Sequence, residues 1–204
     1  MPADPLAPDT QARQQERVLH GHDQPPLLPT VYCVAIMSRS KSTENLIAFG
    51  PLPAHVNELL QQGVACHRSD PPRARALFRH AIEISPKSLP AYRCLFKLQN
   101  QQREFDDALA TALDGLAEAA HQARVDQDWR KWTLADVGSA TQRTIPQRFL
   151  LSFLKATAFI ELRRDNTEVS RNIVTHLQRL DPEDGVGHSV IAALLDDDAE
   201  TETD

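Results

Sequence analysis

The sequence has few cysteines and glycines and lacks the common motifs of reactive centres. Three cysteines, Cys33, Cys66 and Cys94, occur in 204 residues, and no two of them form a Cys-x-x-Cys pair. This excludes a zinc knuckle or a thioredoxin-type redox motif, and the sparse count fits reduced thiols in a cytosol. The seven glycines form no phosphate-binding loop, and no GxSxG or HExxH pattern is present. We therefore expect no enzyme, no cofactor and no metal centre, because a nucleophile, a base and a pocket cannot be assembled.

Long hydrophobic runs are also missing. The most apolar stretch near the start, "VYCVAIM" at residues 31–37, is far too short to span a bilayer. An acidic, proline-rich segment precedes it, whereas a signal peptide begins with a basic region. The sequence therefore predicts a cytoplasmic protein that does not contact a membrane.

An excess of positive charge is also missing. The formal net charge of −6 equals the six acidic residues of the stretch 196–204, "DDDAETETD", so the rest of the chain is neutral. A neutral chain has no global field for nucleic acid, and no nucleic-acid partner is expected. Trp129 and Trp132 flank two cations in "WRKW", a mixture found in nucleic-acid readers. Their position between helical segments favours packing against the domain instead.

Residues 1–52 lack the apolar content of a folded domain. Six prolines fall within residues 1–30, and such a segment cannot bury enough apolar surface to offset its ordering entropy. We predict a disordered or poorly ordered leader over 1–52. Met37 is the only methionine after Met1, so translation could begin there instead. The sequence leaves both possibilities open.

Helical periodicity begins at Pro53. In "PPRARALFRHAIEISP", apolar residues at i, i+3, i+4, i+7 and i+8 form one face of a helix, and "FDDALATALDGLAEAAHQA" repeats this pattern. Another helical segment precedes each of them. The sequence therefore predicts an all-α domain over 53–195 with an insertion at about 122–146. The stretch 196–204 is predicted to be an acidic disordered tail.

An internal repeat organises these helices. Ala74 and Ala108 occupy equivalent places and are 34 residues apart, which is the period of a tetratricopeptide repeat. Over roughly 54–195 the chain resembles that family, strongly in two units and in degenerate form in a third. The resemblance implies a short right-handed α-solenoid of helix pairs with a C-terminal capping helix. The residues that match the repeat pattern are Gly63, Ala74, Phe78, Ala81, Pro86, Tyr92, Leu95, Ala108 and Pro182.

In this family the first helix of each pair lines a concave groove that holds a partner segment. The positions that this register assigns to the groove are Leu60, Val64, His67, Arg68, Arg93, Lys97, Asn100, Gln101, Lys155, Phe159 and Arg163. None of them is acidic, so the groove is predicted to be partly basic and to bind an extended or helical, acidic segment of another protein. The acidic tail could cover such a groove or simply keep the chain soluble.

One departure from the family narrows the choice of partner. Chaperone-cofactor members clamp a C-terminal carboxylate with lysines, asparagines and an arginine at fixed groove positions. Here those positions are held by Leu60, Val64, Pro90, Cys94, Ser152 and Ala156. The resemblance therefore implies no chaperone carboxylate-clamp ligand.

Two hypotheses for the function remain. The first is a non-enzymatic adaptor or assembly factor that binds a partner segment in the groove. The alternative is a metal- or cofactor-handling accessory protein that uses Cys66, His67 and Cys94. The chain also resembles small bacterial tetratricopeptide proteins found beside nitrogen-fixation genes, although no motif carries that likeness.

Overall fold

The computed structural model describes residues 47–201, with no side chains described at 198–201. This part of the chain is all-helical and contains no strand, which confirms the predicted all-α class. Its α-helices are α1 (Ala54–Cys66), α2 (Pro71–Ile84), α3 (Leu89–Gln101), α4 (Phe105–Ala123), α5 (Leu134–Val137), α6 (Ile145–Arg163), α7 (Thr167–Leu180) and α8 (Ser189–Thr201). A short 3₁₀ helix, Trp129–Lys131, lies between α4 and α5. None of the helices within 47–201 is both long enough and apolar enough to cross a bilayer.

The helix ends follow local sequence signals. The Asp70 side chain accepts a hydrogen bond from the main-chain N–H of Arg73, 3.1 Å away, and so caps the start of α2. Thr144 and Gln147 form a capping box at the start of α6. Helices α2 and α7 end two residues before Pro86 and Pro182 respectively, since proline cannot continue a helix.

The helices pack in chain order. Helix α1 contacts α2, α2 contacts α3, and α3 contacts α4. Helix α4 then packs against α6, α6 against α7, and α7 against α8. Helix α3 also contacts both α1 and α6, and α6 contacts α8. The alternate helices α1, α3, α6 and α8 therefore follow one another along one side of the domain.

The repeat-matching residues account for the contact between α1 and α2. Ala74 and Ala81 are fully buried, and Phe78 is only 2% exposed. A Cβ atom on Gly63 would lie 2.3 Å from Cε1 of Phe78, which is far inside van der Waals contact. Glycine is therefore required on α1 where the phenyl ring of α2 packs against it. These residues belong to a first core cluster, which comprises Val56, Leu60, Ala74, Phe78, Ala81, Ala91, Leu95 and Leu98.

A similar close approach joins α4 to α6. The repeat pattern favours alanine at position 115, but a Cβ atom on Gly115 would lie 2.6 Å from Cζ of Phe153. Phe153 is fully buried. The glycine thus lets a large aromatic side chain enter between the two helices, and this explains the departure from the pattern.

Two boundaries differ from the prediction. Residues 47–52, assigned to the poorly ordered leader, are in contact with the domain, since Phe49 and Leu52 pack on the first core cluster. Residues 1–46, including Met37, lie outside the described residues. Residues 196–201, assigned to the disordered tail, belong to α8, because no glycine or proline after Gly187 stops that helix. Residues 202–204 lie outside the described residues.

The insertion between α4 and α6 is held by its two tryptophans. Trp132 is 4% exposed, and its indole N–H donates to the carbonyl oxygen of Asp126 at 2.6 Å. The half-buried Trp129 ring lies edge-on to His176 of α7, with ring centroids 5.2 Å apart. Both tryptophans therefore pack the insertion, as predicted.

Candidate functional site

Helix α3 presents a polar stripe towards a pocket. Arg93, Lys97 and Gln101 follow one another at i, i+4 and i+8 on one face, and all three are exposed. They border a pocket of about 270 Å³ between α1, α3, residues 47–49 and the start of α6. This pocket, together with the α3 stripe beside it, is called the groove below.

The walls of the pocket are mainly apolar. Val64 of α1, Leu98 of α3 and Phe149 of α6 contribute aliphatic and aromatic surface, and Phe78 reaches the pocket from α2. His67 adds a polar group at the end of α1. An apolar concavity bordered by a few polar groups is the usual form of a binding site.

The positive charges beside the pocket are not neutralised. Neither Arg93 nor Lys97 takes part in an ion pair with a described residue. Partial burial, followed by the positive charges of Arg93 and Lys155, lowers the pKa of Lys97 below its ordinary value. The ammonium group of Lys155 donates to the carbonyl oxygen of Val186 at 2.6 Å, which leaves its charge uncompensated. An incoming carboxylate would relieve this repulsion.

Cys94 is a wall residue of the pocket, and burial suppresses the reactivity of its thiol. Burial raises its pKa to about 11, although Arg93 and Lys97 act in the opposite direction. The thiolate is the form that attacks electrophiles or binds metals. A thiol with this pKa stays protonated at neutral pH.

The structure brings together a subset of the predicted groove residues. Five of them border the pocket, namely Val64, His67, Arg93, Lys97 and Gln101. Leu60 is buried in the core. The other five predicted groove residues do not line the pocket, namely Arg68, Asn100, Lys155, Phe159 and Arg163. Arg163 stacks on α4, with its guanidinium carbon 5.2 Å from the centre of the Phe105 ring and 5.9 Å from that of Phe159. Arg68 is exposed, and Asn100 is half-buried.

The prediction for Leu60 is wrong. This side chain is fully buried in the first core cluster and cannot reach a partner. Leu60 lies four residues after Val56 and three before Gly63, which places it on the face of α1 that packs against α2. One residue further, 100° around the helix, the buried Gln61 side chain bonds to the main chain of Ile47, which lines the pocket.

The repeat register missed residues 47–49, which line the pocket, and Gln61, which holds Ile47 there. The Gln61 side-chain amide exchanges two hydrogen bonds with the main chain of Ile47. Asn57, Gln61 and Val64 share one face of α1, at i, i+4 and i+7, and this spacing is the signal that could have identified Gln61. For residues 47–49, which belong to no helix, there was no periodic signal to find.

The alternative metal site is not assembled. The ligand atoms of Cys66, His67 and Cys94 do not form a group within 4.8 Å of one another. Nδ1 of His67 lies 2.7 Å from the carbonyl oxygen of Val64, so this nitrogen donates to the main chain. The Cys66 thiol lies 3.6 Å from the carbonyl oxygen of Gly63.

Within 47–197, one group of possible metal ligands does have its ligand atoms within 4.8 Å of one another, namely Asp181, Asp184 and His188. Its central carboxylate is already bound. Oδ1 of Asp181 accepts from the Arg143 guanidinium at 2.7 Å, and Oδ2 accepts from the main-chain N–H of Val186 at 2.8 Å. Arg143 carries the charge that a metal would bring, so we interpret this group as an anchor for the turn between α7 and α8.

Comparison with known proteins adds no relative. No protein-family model matches the chain, and no match was found among curated proteins or solved structures.

Proposed function

We propose that the protein is a non-enzymatic adaptor or assembly factor that binds a segment of another protein in the groove. One observation carries this proposal: an apolar pocket lies beside a row of cations that no described carboxylate neutralises. Hydrophobic burial would supply affinity, and charge complementarity would select the partner.

The helix arrangement that supports this function is, in our proposal, a right-handed solenoid of tetratricopeptide type with α8 as its cap. The 34-residue spacing of Ala74 and Ala108 supports it. So do the contacts of α3 with both α1 and α6, because stacked helix pairs bring their first helices together. The groove then lies on the concave side of the stack.

The partner segment is proposed to be acidic, in an extended or helical conformation, and to insert an apolar side chain between Val64 and Leu98. Its carboxylates would contact Arg93 and Lys97. A chaperone carboxylate clamp is not proposed, because Pro90 and Cys94 offer no cation at two of the clamp positions. Nucleic acid and membranes are not proposed as partners, and the proposed location is the cytoplasm.

Selection of peptides tests this proposal without knowledge of the natural partner. A phage-displayed library of random 12-residue peptides is passed over the immobilised full chain. We expect the retained peptides to be enriched in aspartate and glutamate around an apolar residue, because only such peptides satisfy both the cations and the pocket. The matched control is Arg93→Glu with Lys97→Glu, which should not retain them. Retention of basic peptides, or no enrichment over a blank surface, would contradict the proposed function.

A further inference from the structure

The chain already places a non-helical segment of its own in the groove. Residues 47–49 belong to no helix and line the pocket together with α1 and α3. Ile47 remains 45% exposed, whereas Phe49 is half-buried and packs on the first core cluster. A short segment of this chain, anchored by one aromatic ring, thus occupies part of the site that we propose for a partner segment.

A side-chain amide holds this segment by its main chain. Nε2 of Gln61 donates to the carbonyl oxygen of Ile47 at 2.6 Å, and the N–H of Ile47 donates to Oε1 of Gln61 at 3.3 Å. These two bonds satisfy both main-chain groups of one residue, as a neighbouring β-strand would. Contacts to main chain do not depend on the identity of the side chain. Gln61 can therefore bind the main chain of a partner segment in the same way.

The orientation of this amide is fixed. Gln61 is 5% exposed, and its Nε2 also donates to Oδ1 of Asn57 at 3.3 Å. This second bond identifies the nitrogen end of the amide and directs the oxygen towards the N–H of Ile47. A pre-oriented amide loses little side-chain entropy when it binds main chain.

The segment leaves the cations of the groove unused. Ile47, Ala48 and Phe49 carry no charge, and none of the described carboxylates pairs with Arg93 or Lys97. An acidic segment in the same place would gain the cation contacts in addition to the amide pair. It would therefore compete favourably with a segment that has only the amide pair and one aromatic ring.

We propose that residues 47–49 are an intramolecular ligand of the groove, held by Gln61, and that a partner segment binds by displacing them. This inference rests on the proposed function, since it concerns the regulation of the same groove. A tethered segment competes at an effective concentration in roughly the millimolar range. Weak binders are thereby excluded, and only a segment that also contacts Arg93 and Lys97 displaces it.

The first test measures release of the segment without any partner. In the full chain with Cys33→Ser and Cys66→Ser, Cys94 is the only thiol, and it lies in the pocket wall beside residues 47–49. Its rate of modification by 5,5′-dithiobis(2-nitrobenzoate) is measured before and after Gln61→Leu, which removes the amide. We expect the rate to rise about fivefold, since the segment then leaves the pocket more often. Phe49→Ser should raise it similarly with the amide intact.

The control is the thiol of Cys66, which does not line the pocket. It is followed in the chain with Cys33→Ser and Cys94→Ser, and its rate should not change in either variant. Unchanged modification of Cys94 in both variants would overturn the proposal. An equal rise at both thiols would indicate general opening of the helices and would also overturn it.

The second test measures competition, with the acidic peptides retained in the selection as probes. They should bind the Phe49→Ser chain about fivefold more tightly than the parent, because the competing segment is weakened. Weaker binding would mean that the segment is a permanent wall of the pocket, which contradicts displacement. If the proposed function is wrong, the selection retains no acidic peptide. The rate of Cys94 modification still tests the release of residues 47–49 in that case, because it requires no peptide.

Discussion

Replacement of Phe78 by alanine is expected to lower the free energy of unfolding by about 3–5 kcal/mol. The ring is 2% exposed and fills the space beside Gly63 at the contact of α1 with α2. Its removal takes away apolar burial and leaves a cavity that the rigid helices fill only in part. Urea unfolding followed by circular dichroism measures the change. Ile84→Ala on the same helix is the control, since Ile84 is 43% exposed and its loss should change stability by about 0.5 kcal/mol or less.

A double-mutant cycle shows whether Phe78 and Gly63 are in contact. Gly63→Ala in the parent forces a methyl group against the ring and should cost about 1–3 kcal/mol. In the Phe78→Ala background the same methyl group has room, and alanine then favours the helix by about 1 kcal/mol over glycine. The effect of the second substitution should therefore change sign. An unfolding curve of Phe78→Ala that matches the parent would show that the assigned repeat register is wrong.

Replacement of Arg143 by methionine is expected to cost a similar amount, about 3–5 kcal/mol. Arg143 and Asp181 form an ion pair at 2.7 Å, with side chains that are 5% and 0% exposed. The guanidinium also donates to the carbonyl oxygens of Gly138 and Leu180, both at 3.1 Å. Without it, a buried carboxylate stands uncompensated where the insertion meets the turn after α7. Thermal and urea unfolding of the two proteins measure the loss.

Two variants identify the cause of this loss. Asp181→Asn, added to Arg143→Met, removes the unpaired charge and should restore part of the stability. Arg130→Met breaks an exposed pair with Asp128, whose side chains are 70% and 39% exposed, and should cost about 0–1 kcal/mol. Equal losses for Arg143→Met and Arg130→Met would contradict the role of the buried pair as an anchor.

The helical class and much of the core could be predicted from the sequence because both depend on spacing. Ala74, Phe78 and Ala81 recur on one helical face and are buried. The ends of α2 and α7 follow from prolines that no helix can continue. Such signals depend on residue type and position alone, so they can be read without knowledge of the partner helices.

The groove was only partly predictable, since it depends on which way each helix is turned. Helix α1 carries apolar residues over more than half of its circumference, so Leu60 could be assigned to the groove while it belongs to the core. Helix α6 is apolar nearly all round, and its periodicity could not single out Phe149 as a pocket residue. Residues 47–49 belong to no helix, so no helical pattern could place them in the pocket wall. The role of Gln61 is to bond to the main chain of Ile47, and this contact cannot be inferred from the position of Gln61 on α1 alone.

The most direct test of the groove is the affinity of one selected acidic peptide, measured by calorimetry for three full-length proteins. These are the parent, the groove variant Arg93→Glu with Lys97→Glu, and a control that applies the same charge change to the exposed Arg73 and Arg79 of α2. The proposed function predicts that Kd rises about tenfold or more in the groove variant and changes less than about twofold in the control. This difference should shrink as salt is raised, because exposed charges are screened. Equal Kd values for all three proteins at low salt would contradict the groove as the binding site.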